Sequence, residues 1–141
     1  MSARKKILVV DDDPDVLLLL RVTLAARDFE PSLAGDGQTA LRRIEADRPD
    51  LVLLDVMMPV MDGWAVLEAL ANRRRPTPVV VVSAKAGEAD VARALRLGAL
   101  DYITKPFVPE ELVARVIAAL RSNPKDRDRR RIELLASAKR A

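Results

Sequence analysis

The chain has 141 residues, half of them hydrophobic and only 3% aromatic, which is enough for one domain with a complete core that must be aliphatic. It contains no Cys and no His, which excludes disulfides, thiolate and imidazole metal sites, His acid–base catalysis and a Ser-His-Asp triad, and leaves Asp, Glu, Lys, Ser and Thr to carry any chemistry. The net charge of +3 is uneven: residues 1–123 carry 17 Lys+Arg against 18 Asp+Glu and residues 124–141 carry 7 against 3, so a nucleic-acid reading of the basic pI would concern the tail alone.

The N-terminal stretch MSARKKILVVDDD is basic and then apolar only over Ile7 to Val10. That is too short for a signal peptide or a bilayer span, and no later segment reaches the length of a span. The expectation is a soluble, cytoplasmic protein with no membrane partner. Lys6 to Val10 reads as a buried strand ending at Asp11-Asp12-Asp13. Asp13 as N-cap and Pro14 in the first turn open a helix to about Arg27, with Val16, Leu19, Leu20, Thr23 and Leu24 expected inward. Glu30 to Ala34 is a weaker strand, Gly35-Asp36-Gly37 a turn and cap, and Gln38 to about Asp47 a helix with Ala40, Leu41 and Ile44 inward.

Leu51 to Leu54 is a third strand, and it runs into Asp55. Pro59 forbids its continuation, and a third helix opens at Gly63 or Trp64. Val79 to Val82 is a β-branched fourth strand leading to Ser83, and Glu88 to Leu97 is a helix stopped by Gly98. Asp101 to Ile103 is a short fifth strand before Thr104-Lys105-Pro106, and a fifth helix runs from Pro109 to about Ser122. Five strand-then-helix units with continuous apolar strands imply a doubly wound α/β fold. The sheet is parallel, with five strands, five helices and the order 2-1-3-4-5 of a flavodoxin-like protein.

In such a sheet every strand ends on one edge. The first strand brings Asp11 and Asp12 there, the third Asp55, the fourth Ser83 and the fifth Lys105. Crowded carboxylates raise one another's pKa, and a hard divalent cation such as Mg²⁺ relieves that. Lys105 and the Ser83 hydroxyl form a second clamp suited to an anion. A carboxylate held by metal and lysine, with no His, is a plausible nucleophile toward a phosphoryl group.

ILVVDDDP, LLDVMMPVMDG, VVSA and DYITKPF, in this order and spacing, resemble the receiver domain of two-component response regulators over about residues 5–122. The resemblance implies a CheY-like switch. Asp55 would be the phosphoryl acceptor. Asp11, Asp12, Asp55 and the backbone carbonyl of Met57 would hold Mg²⁺ or Mn²⁺. Ser83 would be the switch hydroxyl, with Ala84 leaving room for phosphate beside it. Lys105 would be the active-site lysine, followed by a cis Lys105–Pro106 peptide, and Tyr102 the switch aromatic that turns inward. A sensor histidine kinase or phosphotransfer protein would supply the phosphoryl group. The surface of the fourth helix, fifth strand and fifth helix would then act on a downstream effector or output domain, or form a homodimer. The chain would be no enzyme beyond its own phosphorylation and dephosphorylation. Met57 and Lys85, two residues after acceptor and hydroxyl, would slow the loss of phosphate.

Two features qualify this reading. Asp101 and Arg115, with Glu111 nearby, can pair on the switching face, but Val91 stands where dimerising relatives place a cation. With residues 1–123 as the receiver domain, the basic tail of residues 124–141 would be a linker, an arm that packs on the domain or a dimer helix, with a narrow stripe of Ile132, Leu134, Leu135 and Ala138, and a solvated linker is favoured. Nucleic acid is not assigned to residues 1–123; the Arg129–Arg131 cluster of the tail could touch it, but lacks aromatic neighbours and a recognisable reader fold. Among other functions, an aspartyl-nucleophile phosphatase of the haloacid dehalogenase type wants a second Asp where Met57 stands. A flavin or nucleotide domain wants a phosphate loop where DDDPD is acidic. A degenerate, contact-only receiver would not keep the complete acidic set.

Overall fold

The computed structural model describes residues 3–140, without the side chain of Arg140. Five parallel strands form one sheet: β1 (Lys6–Val10), β2 (Glu30–Ala34), β3 (Leu51–Leu54), β4 (Val79–Ser83) and β5 (Asp101–Thr104), in the order β2-β1-β3-β4-β5. The helices are α1 (Pro14–Ala26), α2 (Gly37–Asp47), α3 (Gly63–Ala71), α4 (Glu88–Arg96), α5 (Pro109–Arg121) and α6 (Pro124–Arg140). The doubly wound topology is as expected. The described residues hold six helices rather than five, because the tail is helical.

Strand alternation divides the core in two. Ile7, Val9, Leu51 and Leu53 face α1 and α5, where Leu20, Leu24, Leu112 and Val116 meet them. Leu8, Val10, Val52 and Leu54 face the other way, onto Ile44 of α2, Leu67 of α3 and Leu95 of α4. Glu30–Ala34 tolerates Pro31 because β2 is an edge strand. Asp13 accepts the Asp15 N–H with Pro14 at the first helical position, as expected. Gly98, at φ 96°, ends the turn after α4 in the left-handed region.

One expected face needs correction. Leu19 is 44% exposed, and Leu17 packs against the core in its place. Helical spacing from Leu20 and Leu24 selects positions 16 and 17 on the inward stripe. Within an unbroken Leu17–Leu20 run there is no polar residue to mark the outer side.

Candidate functional site

The three central strands set the site through their register. Val10 pairs with Leu54, and the next residues, Asp11 and Asp55, leave the sheet side by side. Asp55 N–H donates to Val10 O at 2.9 Å and Asp11 N–H to Ala34 O at 3.1 Å, so both carboxylates spring from anchored backbone. Ser83 pairs with Thr104 in β4–β5, and Lys105 N–H donates to Ser83 O at 2.9 Å. The Lys105–Pro106 peptide is cis, as expected.

Asp11, Asp12 and Asp55 each offer an oxygen, all within 4.8 Å of one another. Asp11 and Asp55 are buried and Asp12 is exposed. Lys105 Nζ bridges the two buried ones, 2.7 Å from Asp11 Oδ2 and 3.0 Å from Asp55 Oδ2. Backbone N–H groups fill the other oxygens: Asp13 donates to Asp11 Oδ1 at 2.9 Å and Met57 to Asp55 Oδ1 at 2.8 Å. Burial pushes the Asp11 carboxyl above its ordinary value, against the opposing pull of Lys105. Burial also works against the Lys105 ammonium, but its bonds to Asp11 and Asp55 more than offset that and leave it above its ordinary value. The donor set is all oxygen, negatively charged and open to solvent at Asp12. It therefore fits a hard divalent cation that keeps several waters, such as Mg²⁺ or Mn²⁺.

Asp11 binds its proton more readily folded than unfolded, so stability falls as pH rises from the ordinary carboxylate value through the raised one. In EDTA, Asp11→Asn is therefore expected to have a higher urea midpoint than the parent at pH 7. The gain should shrink as the pH drops through that window. A lower midpoint at pH 7 would contradict the assignment.

Ser83 is fully buried and its Oγ accepts the Lys85 N–H at 3.2 Å. Tyr102 is 4% exposed and its hydroxyl donates to Lys85 O at 2.6 Å. Burial pushes the phenol up to about 12. The ring is thus already inward in this structure. Asp101 is also buried, and Arg115 holds it with two bonds at 2.9 and 2.6 Å, so this pair is an internal one rather than a solvated surface contact.

Two contributors were not expected from the sequence. Gly63 lies against the acceptor backbone, where a Cβ would stand 2.1 Å from Asp55 O and 2.4 Å from Val56 Cα. Arg130, from the tail, bonds Asp101 at 3.1 Å. Tail residue Leu134 is buried with Val91 in the core, while Ile132 is 70% exposed, so a docked helix replaces the expected solvated linker.

This arrangement of strand ends agrees with comparison to known proteins. Residues 7–117 match the family described as the response regulator receiver domain. The chain is 47% identical over 122 residues to the DNA-binding response regulator MtrA of Mycolicibacterium smegmatis, covering 86% of this chain and 53% of MtrA. It is 44% identical over 117 residues to the alkaline phosphatase synthesis transcriptional regulatory protein PhoP of Bacillus subtilis, covering 83% of this chain and 49% of PhoP. The chain thus spans about half the length of these curated relatives. Among solved structures, the BeF3-activated N-terminal receiver domain of Klebsiella pneumoniae RstA superposes with a TM-score of 0.78 at 34% identity, over 84% of this chain and all of that one. The receiver domain of Francisella response regulator 1452 gives 0.79 at 32%, over 83% and 97%.

The chain belongs to the response regulator receiver domain family. Among the described residues no helix is long and apolar enough to cross a membrane.

Proposed function

We propose that Asp55 is the phosphoryl acceptor of this receiver and that its charge state sets the surface of α4, β5 and α5. The observation that carries the reading is Lys105 Nζ seated between Asp11 and Asp55 beside a three-carboxylate cluster at the C-terminal edge of the sheet. An Asp55 oxygen attacks phosphorus, the donor's N–P bond breaks, and the product is an acyl phosphate on Asp55. Asp11, Asp12, Asp55 and the Met57 carbonyl would hold Mg²⁺ or Mn²⁺, which when bound supplies positive charge to the phosphoryl oxygens. Lys105 is placed to move from neutralising Asp55 to neutralising the phosphoryl group attached there. Ser83 supplies a hydroxyl one strand away.

The phosphoryl donor is a histidine kinase or phosphotransfer protein. The recipient of the signal is an effector or an output domain. In MtrA and PhoP the names describe DNA binding or transcriptional regulation, and the present chain matches only about half of each. DNA contact is accordingly assigned to an output partner and not to this domain. The cytoplasm is the compartment where such a partner kinase domain would meet it. Turnover of foreign phosphate esters is not part of the function, because Met57 stands where an aspartyl phosphatase would need a second acid.

Mg²⁺ at about 100 times its dissociation constant is expected to stabilise the parent by about 2.7 kcal/mol and EDTA to reverse it. Acetyl phosphate with Mg²⁺ should then yield one alkali-labile acyl phosphate per chain, while aryl phosphates give no sustained turnover. Sustained aryl phosphate hydrolysis would favour the phosphatase reading, and an acyl phosphate formed equally well in EDTA would contradict the metal site.

A further inference from the structure

Helix α6 rests on the face that the site is proposed to control. Leu134 is buried in one apolar cluster with Val91, Ala94, Leu95 and Tyr102, and Leu135 and Ala138 pack at its border. Val91 is part of the seat that receives this helix. Arg130 reaches across to Asp101, which Arg115 already holds, and also bonds Glu133 on its own helix at 3.1 Å. The helix begins independently of α5. Ser122 is extended at ψ 140°, and Asn123 and Asp126 cap each other's backbone N–H groups. Much of the rest of α6 is polar and exposed. Its attachment is therefore narrow, made of one buried leucine, two partly buried neighbours and a shared ion pair.

That seat is wired to the acceptor edge through Lys85. The Lys85 N–H donates to Ser83 Oγ, and its carbonyl accepts from the Tyr102 hydroxyl. Ala86 and the Tyr102 ring, with Val91, Leu134 and Ala138, line a cavity of about 330 Å³ between α6 and the sheet edge. A Ser83 hydroxyl drawn to a phosphoryl oxygen gives up the Lys85 N–H. The β4–α4 loop is then freed to shift, and with it the Lys85 carbonyl that holds the inward Tyr102 ring beneath α6.

We infer that α6 is a built-in occupant of the α4–β5–α5 face and that phosphorylation of Asp55 releases it. The inference rests on the acceptor reading above. The clearing uncovers Val91, Tyr102 and the Asp101–Arg115 pair, so any partner of this face competes with a segment of the same chain. The coupling is reciprocal: whatever loosens α6 tightens the binding of a phosphoryl mimic at Asp55 by the same factor.

Hydrogen exchange on the full chain tests this, read at the amides of residues 132–139 with and without acetyl phosphate and Mg²⁺, with intact mass taken on the same sample. In the phosphorylated parent these amides should exchange about tenfold faster or more while β1 and β3 stay protected, and Asp55→Asn should show no change. Leu134→Asp should give fast α6 exchange without phosphate and a tighter beryllofluoride–Mg²⁺ complex. Arg130→Gln, which leaves the apolar seat intact, should do both to a smaller degree. Phosphoryl gain with α6 protection unchanged or increased overturns the inference and leaves the acceptor standing. No phosphoryl gain overturns both, and unchanged beryllofluoride affinity in both variants overturns the coupling.

Discussion

Gly63→Ala is expected to lose about 3 kcal/mol of stability, at the upper end of what overpacking costs, and to slow phosphoryl transfer to Asp55. The new methyl would stand 2.1 Å from Asp55 O and 2.4 Å from Val56 Cα, and both obstacles are backbone that no rotamer change can move. Gly63 N–H also donates to Val56 O at 3.2 Å, so the first turn of α3 is tied to the strand end that carries the acceptor. Ala therefore forces the two apart. A displacement of about 1 Å at a reacting group can cost about 10²-fold in rate. Urea midpoints and the rate of acyl phosphate formation measure the two effects. Parent-like values in both would mean that the close approach does not constrain the site.

Lys105→Met is expected to have the second large effect, and a divided one. It leaves Asp11 and Asp55 buried beside each other without their shared counter-charge. Breaking a buried pair from one side costs about 3–5 kcal/mol when both partners are dry. Here the lysine is 20% exposed, so a loss of about 2 kcal/mol in EDTA is expected after allowing for solvent. Mg²⁺ should restore most of that stability by supplying charge to the same carboxylates. It should not restore the transfer rate, because Lys105 would no longer be there to meet the phosphoryl oxygens, and removal of one such donor costs about 10²–10³-fold. Thermal melts with and without Mg²⁺, set beside transfer rates, separate the two roles. A rate that recovered together with stability would contradict a direct role for Lys105.

The sheet was legible in the sequence because each strand is an apolar run closed by a polar residue with a use. KILVV ends in Asp11, LVLL in Asp55 and VVVV in Ser83, and parallel order carries all of them to one edge. What was not legible depends on contacts distant in the chain. Leu19 was placed inward because four consecutive leucines carry no sign of which faces water. Gly63 read as a helix start, and nothing local reveals that α3 touches the Asp55 backbone. The apolar stripe of the tail was visible, but its destination was not. Leu134 finds Val91, and Arg130 finds Asp101, across about 30 to 40 residues of intervening chain. The Asp101–Arg115 pair was anticipated as a contact, though its burial depends on the strand edge and on α6 together.

The central claim is that one carboxylate, Asp55, takes the phosphoryl group. Intact mass after acetyl phosphate and Mg²⁺, run on the parent and on Asp55→Asn, tests it most directly. The account predicts a gain of one phosphoryl group in the parent and none in the variant. No gain in the parent, or an equal gain in both, would contradict it.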